Sequence, residues 1–83
     1  MIQGIYAIKD RAADAFGRPF FCATDGVAIR SFMDEVSRKD ADNQLFRHPD
    51  DFDLFRLGAY DDSDGSFDVH EPKLLTLGKQ VAG

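Results

Sequence analysis

The chain has 83 residues, a formal net charge of −5 and a single cysteine, Cys22. Its length allows one domain, residues 1–83, with one small core, and the lone cysteine excludes an intramolecular disulfide and favours a reducing compartment. No apolar run approaches the ~18 residues that cross a bilayer, and we expect no signal peptide, because the N-terminal residues lack a basic segment followed by an apolar one.

The first half of the chain predicts two strands and one helix. Residues 2–8 are rich in β-branched and aromatic side chains, which favours a strand, and Gly4 is a candidate bulge. Residues 9–18 predict a helical turn or a loop, and residues 19–23, which begin at Pro19, predict a short strand. Thr24 or Asp25 is suited to cap a helix over residues 26–38.

Apolar side chains recur at spacings of three and four along that helix and form one stripe, made of Ala28, Ile29, Phe32, Met33 and Val36. Opposite charges lie four residues apart on its other face and predict three ion pairs, Arg30–Asp34, Asp34–Arg38 and Glu35–Lys39.

The second half of the chain predicts a β-hairpin. Residues 39–51 form a polar connection with Leu45 and Phe46 turned inward. Two apolar runs within residues 52–67 then flank a cluster of turn formers that ends at Gly65. Beyond Pro72 the sequence is compatible with a last strand or with an irregular segment, and Gly78 and Gly83 weaken the strand interpretation.

This order of elements predicts an α+β fold: a small antiparallel sheet of about four strands with one amphipathic helix packed on one face. One helix cannot cover both faces of such a sheet. Several of the eight Phe side chains must therefore be exposed or contact another subunit, so we expect a homodimer or another homo-oligomer.

Charge is distributed unevenly along the chain. Residues 1–49 carry seven basic and seven acidic side chains, whereas residues 50–71 carry eight acidic side chains and one basic side chain, Arg56. A nucleic-acid-binding protein normally presents a basic face. The balance of the whole chain therefore disfavours tight, nonspecific binding of duplex DNA, and leaves open a local basic patch in the first half.

Basic and aromatic residues alternate in that first half, a composition that suits single-stranded nucleic acid. The predicted phosphate contacts are Lys9, Arg11, Arg18 and Arg30, and the predicted stacking residues are Tyr6 and Phe21. In the alternative interpretation, which the residues alone favour, the aromatic rings belong to the core and the lysine and arginine side chains form ion pairs with neighbouring acidic side chains.

No residue pattern indicates a metal, a cofactor or a catalytic site. An EF-hand alignment of the acidic hairpin places Tyr60 where the first oxygen ligand belongs. Cys22, His48 and His70 are too scattered for a structural zinc site, and the glycines form no phosphate-binding loop. We therefore expect a protein that is not an enzyme.

Several short segments follow one another in a recognisable order: Tyr6-Ala7-Ile8-Lys9-Asp10, Pro19-Phe20, Ala28-Ile29-Arg30-Ser31-Phe32, Pro49-Asp50-Asp51-Phe52-Asp53-Leu54, Leu57-Gly58 and Asp64-Gly65. Their order resembles the small nonstructural protein of gokushoviruses, single-stranded DNA bacteriophages of the Microviridae. The resemblance implies an accessory protein of the host bacterial cytoplasm that is absent from the mature virion. It also implies a role in single-stranded DNA synthesis or genome packaging, and it brings no catalytic residues.

Two hypotheses follow. In the first, a nonenzymatic accessory protein binds single-stranded DNA weakly through its first half and contacts phage replication or capsid proteins, with no membrane involved. In the second, the protein is a protein–protein adaptor or a host-modulating factor that uses the acidic hairpin 60–71, with Asp61, Asp62 and Asp64 in contact with the partner.

Overall fold

The fold is built around one central strand. In the computed structural model, which describes residues 1–82, strand β1 (Ile2–Asp10) pairs on one side with β4 (Phe52–Asp61). On its other side β1 pairs with two short strands, β2 (Ala15–Phe16) and β3 (Phe20–Cys22). Strand β5 (Ser66–Leu77) pairs with β4 and forms the outer edge. All neighbours are antiparallel, which confirms the predicted α+β class with an antiparallel sheet.

The predicted hairpin is the β4–β5 pair, and its turn is closed by local hydrogen bonds. The Asp61 carboxylate accepts from the backbone nitrogen of Ser63 at 3.0 Å, and the Asp64 carboxylate accepts from that of Ser66 at 3.0 Å. Gly65 has φ +74°, a conformation that costs glycine little because it has no Cβ.

Residues 9–18 form a second, smaller hairpin where the sequence predicted a helical turn or a loop. Strand β1 continues to Asp10, whose carboxylate accepts hydrogen bonds from the backbone nitrogens of Ala12 and Ala13 at 3.0 and 3.3 Å. Asp14 has φ 52°, and Asp is one of the few residues that tolerates this left-handed conformation. These two aspartates turn the chain back and bring β2 beside β1.

Helix α1 (Asp25–Ser37) confirms the predicted helix to within one residue at each end. The hydroxyl oxygen of Thr24 accepts from the backbone nitrogen of Val27 at 3.2 Å, as expected for an N-cap. Ala28, Phe32 and Val36 are buried against the sheet, so the helix packs through three positions spaced four residues apart.

Two details of this helix differ from the prediction. Met33 is exposed, because the buried stripe is narrower than the sequence suggested. Arg38 pairs with Glu35 at 2.7 Å and with Asp40 at 3.0 Å in place of Asp34. The helix ends at Ser37, so Arg38 has extended backbone geometry and its side chain does not continue the helical spacing.

Short helical segments close the end of the core. Helix α2 (Gln44–Arg47) is capped by Asn43, whose buried amide nitrogen donates to the carbonyl oxygens of Glu35 and Arg38 at the end of α1. Leu45 is half-buried as predicted, but Phe46 is exposed. A 3-10 turn, Pro49–Asp51, leads into β4.

The C-terminal segment is a strand followed by a short helix. Strand β5 continues through Pro72 to Leu77, and helix α3 (Gly78–Ala82) follows. A Cβ at Gly78 would overlap with the carbonyl oxygen of Pro49. The glycine that weakened the strand prediction therefore allows the chain to pass close to the 3-10 turn. No helix of the described residues is long and apolar enough to cross a membrane.

A bulge in β4 sets which side chains face the helices. Ile5 pairs with Gly58, whereas Tyr6 pairs with Arg56, so Leu57 is an extra residue in β4. Side chains alternate between the two faces of a sheet, and one extra residue reverses that alternation. Because of Leu57, Arg56 lies on the helix side of the sheet, while Tyr60, farther along β4, lies on the opposite side.

We call this opposite side the open face. Cross-strand pairing and ring contacts assign the following side chains to it: Gln3, Ile5, Ala7, Lys9, Phe16, Phe21, Asp53, Phe55, Tyr60, Phe67, Val69, Leu74 and Leu77. Helix α1 packs on the other side, over Tyr6, Phe52 and Leu54. The sheet therefore leaves a largely apolar face without a helix, as the count of predicted helices led us to expect.

A polar cluster fixes the start of α1 to the sheet. The hydroxyl of Tyr6 donates to Asp25 Oδ1 at 2.7 Å, and Nη1 of Arg56 donates to the same oxygen at 2.6 Å. Burial, followed by the hydrogen bond to Asp25, raises the pKa of Tyr6 to about 12. The same hydrogen bond is the main cause that lowers the pKa of Asp25, and Arg56 adds to it.

We expect Asp25→Asn to lower the free energy of unfolding at neutral pH by about 1–2 kcal/mol, because a neutral amide replaces the ionised acceptor of two hydrogen bonds. The pKa of Asp25 is lowered in the folded state. The stabilisation by its carboxylate is therefore complete above its ordinary pKa of 3.8 and is lost as the pH falls through the lower folded value.

Urea unfolding at a series of pH values measures both effects. The wild type and Asp25→Asn should converge in acid, and Asp34→Asn serves as a surface control. A gap of constant size down to the lowest pH would contradict this linkage.

Candidate functional site

The six residues predicted to contact nucleic acid do not form one surface. Tyr6 has an exposed fraction of 0%, and its ring lies in the core beneath α1. The prediction that Tyr6 stacks on a base is therefore wrong. Ile5 and Tyr6 point to opposite faces of β1, and both are buried. The alternation of side chains along this strand therefore could not predict whether the Tyr6 ring is accessible.

Two of the predicted phosphate contacts are held by acids. Nζ of Lys9 lies 3.5 Å from Asp14 Oδ1 and 5.6 Å from the centre of the Phe16 ring. Nε of Arg11 lies 3.0 Å from Asp53 Oδ2, and the Arg11 guanidinium also donates to the carbonyl oxygen of Asp50. Both cations are thus partly neutralised within the protein.

Asp53 explains the position of Arg11. Its side chain is buried, and Oδ1 has no hydrogen-bond partner among the described residues, so Arg11 supplies the compensating charge through Oδ2. A buried carboxylate without a partner is costly. The Arg11 guanidinium is therefore already bound to Asp53 in the folded protein without any ligand.

Arg18 and Arg30 form no ion pair with any acid of the described residues. Arg30 lies on the exposed side of α1. Arg18 lies between β2 and β3, at the edge of the sheet. Of the four predicted cations, these two have charges that remain available to a ligand.

Arg18 lines a pocket with a volume of about 450 Å³. Its lining is mainly apolar and includes Phe16, Phe20 and Phe52, although the Phe16 ring itself contacts Phe55 on the open face. Asp10 is the other charged residue in the lining, and its carboxylate already accepts two backbone hydrogen bonds. The pocket therefore offers aromatic surface and one available cation.

The sequence analysis did not predict this pocket, but a local signal for it exists. The segment Phe16-Gly17-Arg18-Pro19-Phe20 places one cation between two aromatic rings within five residues. Other parts of the wall come from Leu45 and Phe52, which are distant in sequence. Only the tertiary fold brings those residues beside the segment.

Phe21 lies elsewhere, on the open face. Its ring centre is 5.8 Å from that of Tyr60, which in turn is 4.8 Å from that of Phe67. These three rings form a row across β3, β4 and β5. Phe21 is exposed, as predicted for a binding residue, but it is separated from Arg18, which lies on the pocket side of the same edge.

The acidic hairpin 60–71 is a distinct surface at the far end of the β4–β5 pair. The Ser63 hydroxyl and backbone nitrogen lower the pKa of Asp61, and the corresponding groups of Ser66 lower the pKa of Asp64. The Met1 amino group donates to Asp62 Oδ1 at 2.6 Å, which raises the pKa of that amino group. No group of residues suited to hold a metal ion is found in the described part of the chain.

Comparison with known proteins places the chain in a viral family. The family described as "Phage ORF5 protein" matches residues 3–81. The chain is also 35% identical over 74 residues to Protein ORF5 of Chlamydia phage 1, which covers 87% of this chain and 77% of that protein. No solved structure matches the chain.

The protein is a phage accessory protein, and it belongs to the Phage ORF5 protein family. Chlamydia phage 1 is a gokushovirus of the Microviridae, so the resemblance derived from the short segments is confirmed.

We expect Arg11→Ala to lower the free energy of unfolding by about 1–3 kcal/mol, because it leaves the buried Asp53 carboxylate without its counter-charge. Arg30→Ala should change stability by less than about 0.5 kcal/mol, since Arg30 is exposed and forms no ion pair with the described residues. Chemical denaturation measures both. The double variant Arg11→Ala/Asp53→Asn should cost less than the sum of its single variants, and simple additivity would exclude the proposed coupling.

Proposed function

We propose that this protein is a nonenzymatic accessory factor that acts in the host bacterial cytoplasm and aids synthesis or packaging of the single-stranded phage genome. In this proposal it binds single-stranded DNA weakly at the pocket beside Arg18. Membership in the Phage ORF5 protein family supports the phage role. The observation that supports DNA binding most directly is an aromatic-lined pocket of about 450 Å³ with an available cation in its wall.

The chemistry of the pocket suits one unpaired nucleotide. A nucleobase is flat and largely apolar on its faces, and stacking on an aromatic side chain contributes about 1–3 kcal/mol per base. The guanidinium of Arg18 is planar and presents several donors, which suits a phosphate oxygen. Phe20, two residues after Arg18 in the sequence, and Phe52 supply the aromatic surface.

The distribution of charge supports weak binding to a single strand over tight binding to a duplex. Arg18 and Arg30 are the predicted contacts whose charges remain available, whereas Lys9 and Arg11 are paired with acids. The net charge of −5 opposes the close approach of a polyanion. A single strand exposes its bases, and stacking then compensates for the small number of phosphate contacts.

We expect Arg18→Ala to weaken binding to an oligothymidine by about tenfold, because one phosphate contact and part of the pocket wall are lost. With two phosphate contacts, the logarithm of the binding constant should fall with the logarithm of salt concentration with a slope of about −1.4, and Arg18→Ala should reduce that slope by about 0.7. Fluorescence anisotropy at several salt concentrations measures both quantities.

Arg11→Ala is the matched control for this measurement, because it removes the same charge from a guanidinium already paired with Asp53. It should change DNA affinity much less than Arg18→Ala. Undetectable binding at low salt, or equal effects of the two variants, would exclude the pocket as the DNA site.

A second candidate function is a protein–protein adaptor or a host-modulating factor that contacts a basic partner through the acidic hairpin 60–71. One observation supports it: Asp61 and Asp64 are held in defined positions by hydrogen bonds from serine hydroxyls at 2.6 and 2.7 Å, which also favour their ionised forms. A basic replication or capsid protein of the phage is the kind of partner that such a surface fits.

We expect Asp62→Asn/Asp64→Asn to reduce the yield of packaged genomes if the hairpin contacts a basic partner, while the melting temperature and oligothymidine affinity change little. Asparagine keeps the shape of the side chain and removes its charge, so the hairpin turn is retained. The matched control, Asp34→Asn/Asp42→Asn, removes the same charge from exposed positions outside the hairpin. Equal yields from the two double variants would exclude a specific role of the hairpin charge.

A further inference from the structure

We propose that the open face binds the open face of a second copy of this chain, forming a dimer with twofold symmetry. This inference does not depend on DNA binding. It rests on the exposure of apolar side chains on that face, the size of the face, the lack of charge at its centre and the irregular geometry of the sheet edge.

Exposed apolar side chains are concentrated on the open face. Phe67 and Val69 have exposed fractions of 62% and 71%, and Phe16, Phe21 and Leu74 are exposed to 41–48%. Single exposed apolar residues are common on protein surfaces, whereas a contiguous apolar patch marks an interaction site. Ring contacts join Phe21 to Phe67 through Tyr60, and Phe16 to Phe55, so these side chains form connected groups.

The dimensions of the chain allow the open face to reach the size of a standard dimer interface. The described chain measures 41 × 22 × 20 Å. A face bounded by the two longer dimensions projects to at most roughly 900 Å², and a standard interface buries about 800 Å² on each partner. Most of the open face, and not a small part of it, must therefore take part.

The charge of the face favours a second copy over a charged partner. Apart from Tyr60, the ionisable side chains that pairing assigns to this face are Lys9 and Asp53, which lie opposite each other at the end next to the β1–β2 turn. The protein has a net charge of −5; of its fifteen acids, Asp61, Asp62 and Asp64 lie at the hairpin turn, and Asp10, Asp14 and Asp53 lie near the β1–β2 turn at the other end of the sheet. An uncharged apolar centre offers little electrostatic attraction to DNA phosphates or to a basic protein, and it matches an identical apolar surface.

Twofold symmetry follows from the use of one surface by both copies. When a patch binds its own copy, every contact occurs twice, and the geometry closes at two subunits. Each exposed ring then contributes twice to the buried apolar area, so one substitution per chain has a doubled effect on association.

The edge of the sheet is a poorer surface for association. An exposed edge strand invites pairing with another strand, but β5 carries Pro72 and Lys73, and its pairing with β4 is irregular between Arg56 and Gly58. Pro72 lacks the backbone donor that a regular ladder needs. Face-to-face packing is therefore favoured over extension of the sheet.

Sedimentation equilibrium up to millimolar concentration tests the proposal. The wild type should form dimers, and both Phe67→Lys and Phe67→Glu should raise the dimer dissociation constant at least about tenfold through loss of apolar area on both copies. Use of both charges separates loss of apolar area from a change in net charge. Val69→Glu provides a second variant at a highly exposed position, and circular dichroism checks that each variant is folded.

Met33→Lys and Met33→Glu are the matched controls, since Met33 is an exposed apolar residue of α1 on the other side of the sheet. They should leave the dimer unchanged. Added salt should strengthen the dimer or leave it unchanged, because it screens repulsion between two copies that are both negative. DNA binding, by contrast, should weaken with salt, so failure of one proposal is distinguishable from failure of the other.

Three results would overturn the proposal. A strict monomer at millimolar concentration excludes the dimer. A dimer that tolerates all the substitutions at Phe67 and Val69 places the interface elsewhere. In a dimer of mixed labelled and unlabelled chains, intermolecular nuclear Overhauser effects between β5 backbones alone indicate edge pairing, whereas effects between the Phe21 and Phe67 rings of different copies support the open face.

Discussion

The one long helix covers only one of the two faces of the sheet, and the other main features of the molecule follow from this constraint. Helix α1 buries Phe32 and Val36 over Tyr6 and Leu54, and this packing forms the main core. The short helices fill the end of the same layer. On the opposite side, Ile5 and Ala7 are buried by neighbouring side chains alone, and the rings around them remain exposed. A small phage protein whose sheet has one apolar face without a covering helix is suited to association with other molecules.

Charge and apolar surface are separated in this protein. Cations that the sequence groups in the first half are divided by the fold: two are neutralised near the β1–β2 turn, one lines the pocket and one lies on the outside of α1. The acids of the hairpin stay together at the far end. Three surfaces therefore coexist, namely the pocket, the open face and the acidic hairpin. The open face shares Phe16 with the pocket and Tyr60, Phe67 and Val69 with the hairpin. A single chain of this size can accordingly serve more than one contact during infection.

Much of the fold was predictable because its signals are local. Thr24 and the apolar spacing that follows it define α1, and the turn formers ending at Gly65 define the β4–β5 hairpin. The small β1–β2 hairpin was missed because its turn depends on backbone hydrogen bonds to Asp10, and an aspartate is equally common in loops.

The candidate site was less predictable than the fold, because accessibility is a tertiary property. Tyr6 and Phe21 have similar sequence surroundings, yet one ring is completely buried and the other is exposed, since their strands present them to different faces. Arg11 and Arg18 likewise differ only in whether an acid from a distant strand reaches them, and Asp53 reaches Arg11. Pairing across the sheet, which a single sequence does not specify, decides both cases.

Leu57 has a consequence for how this family can vary. As an extra residue in β4, it reverses the alternation of side chains between Arg56 and Tyr60. Deletion of this one residue would turn the aromatic side chains at the end of the hairpin toward the helices and would place its acidic positions on the open face. Natural relatives should therefore accept substitution at this position far more readily than a change in chain length.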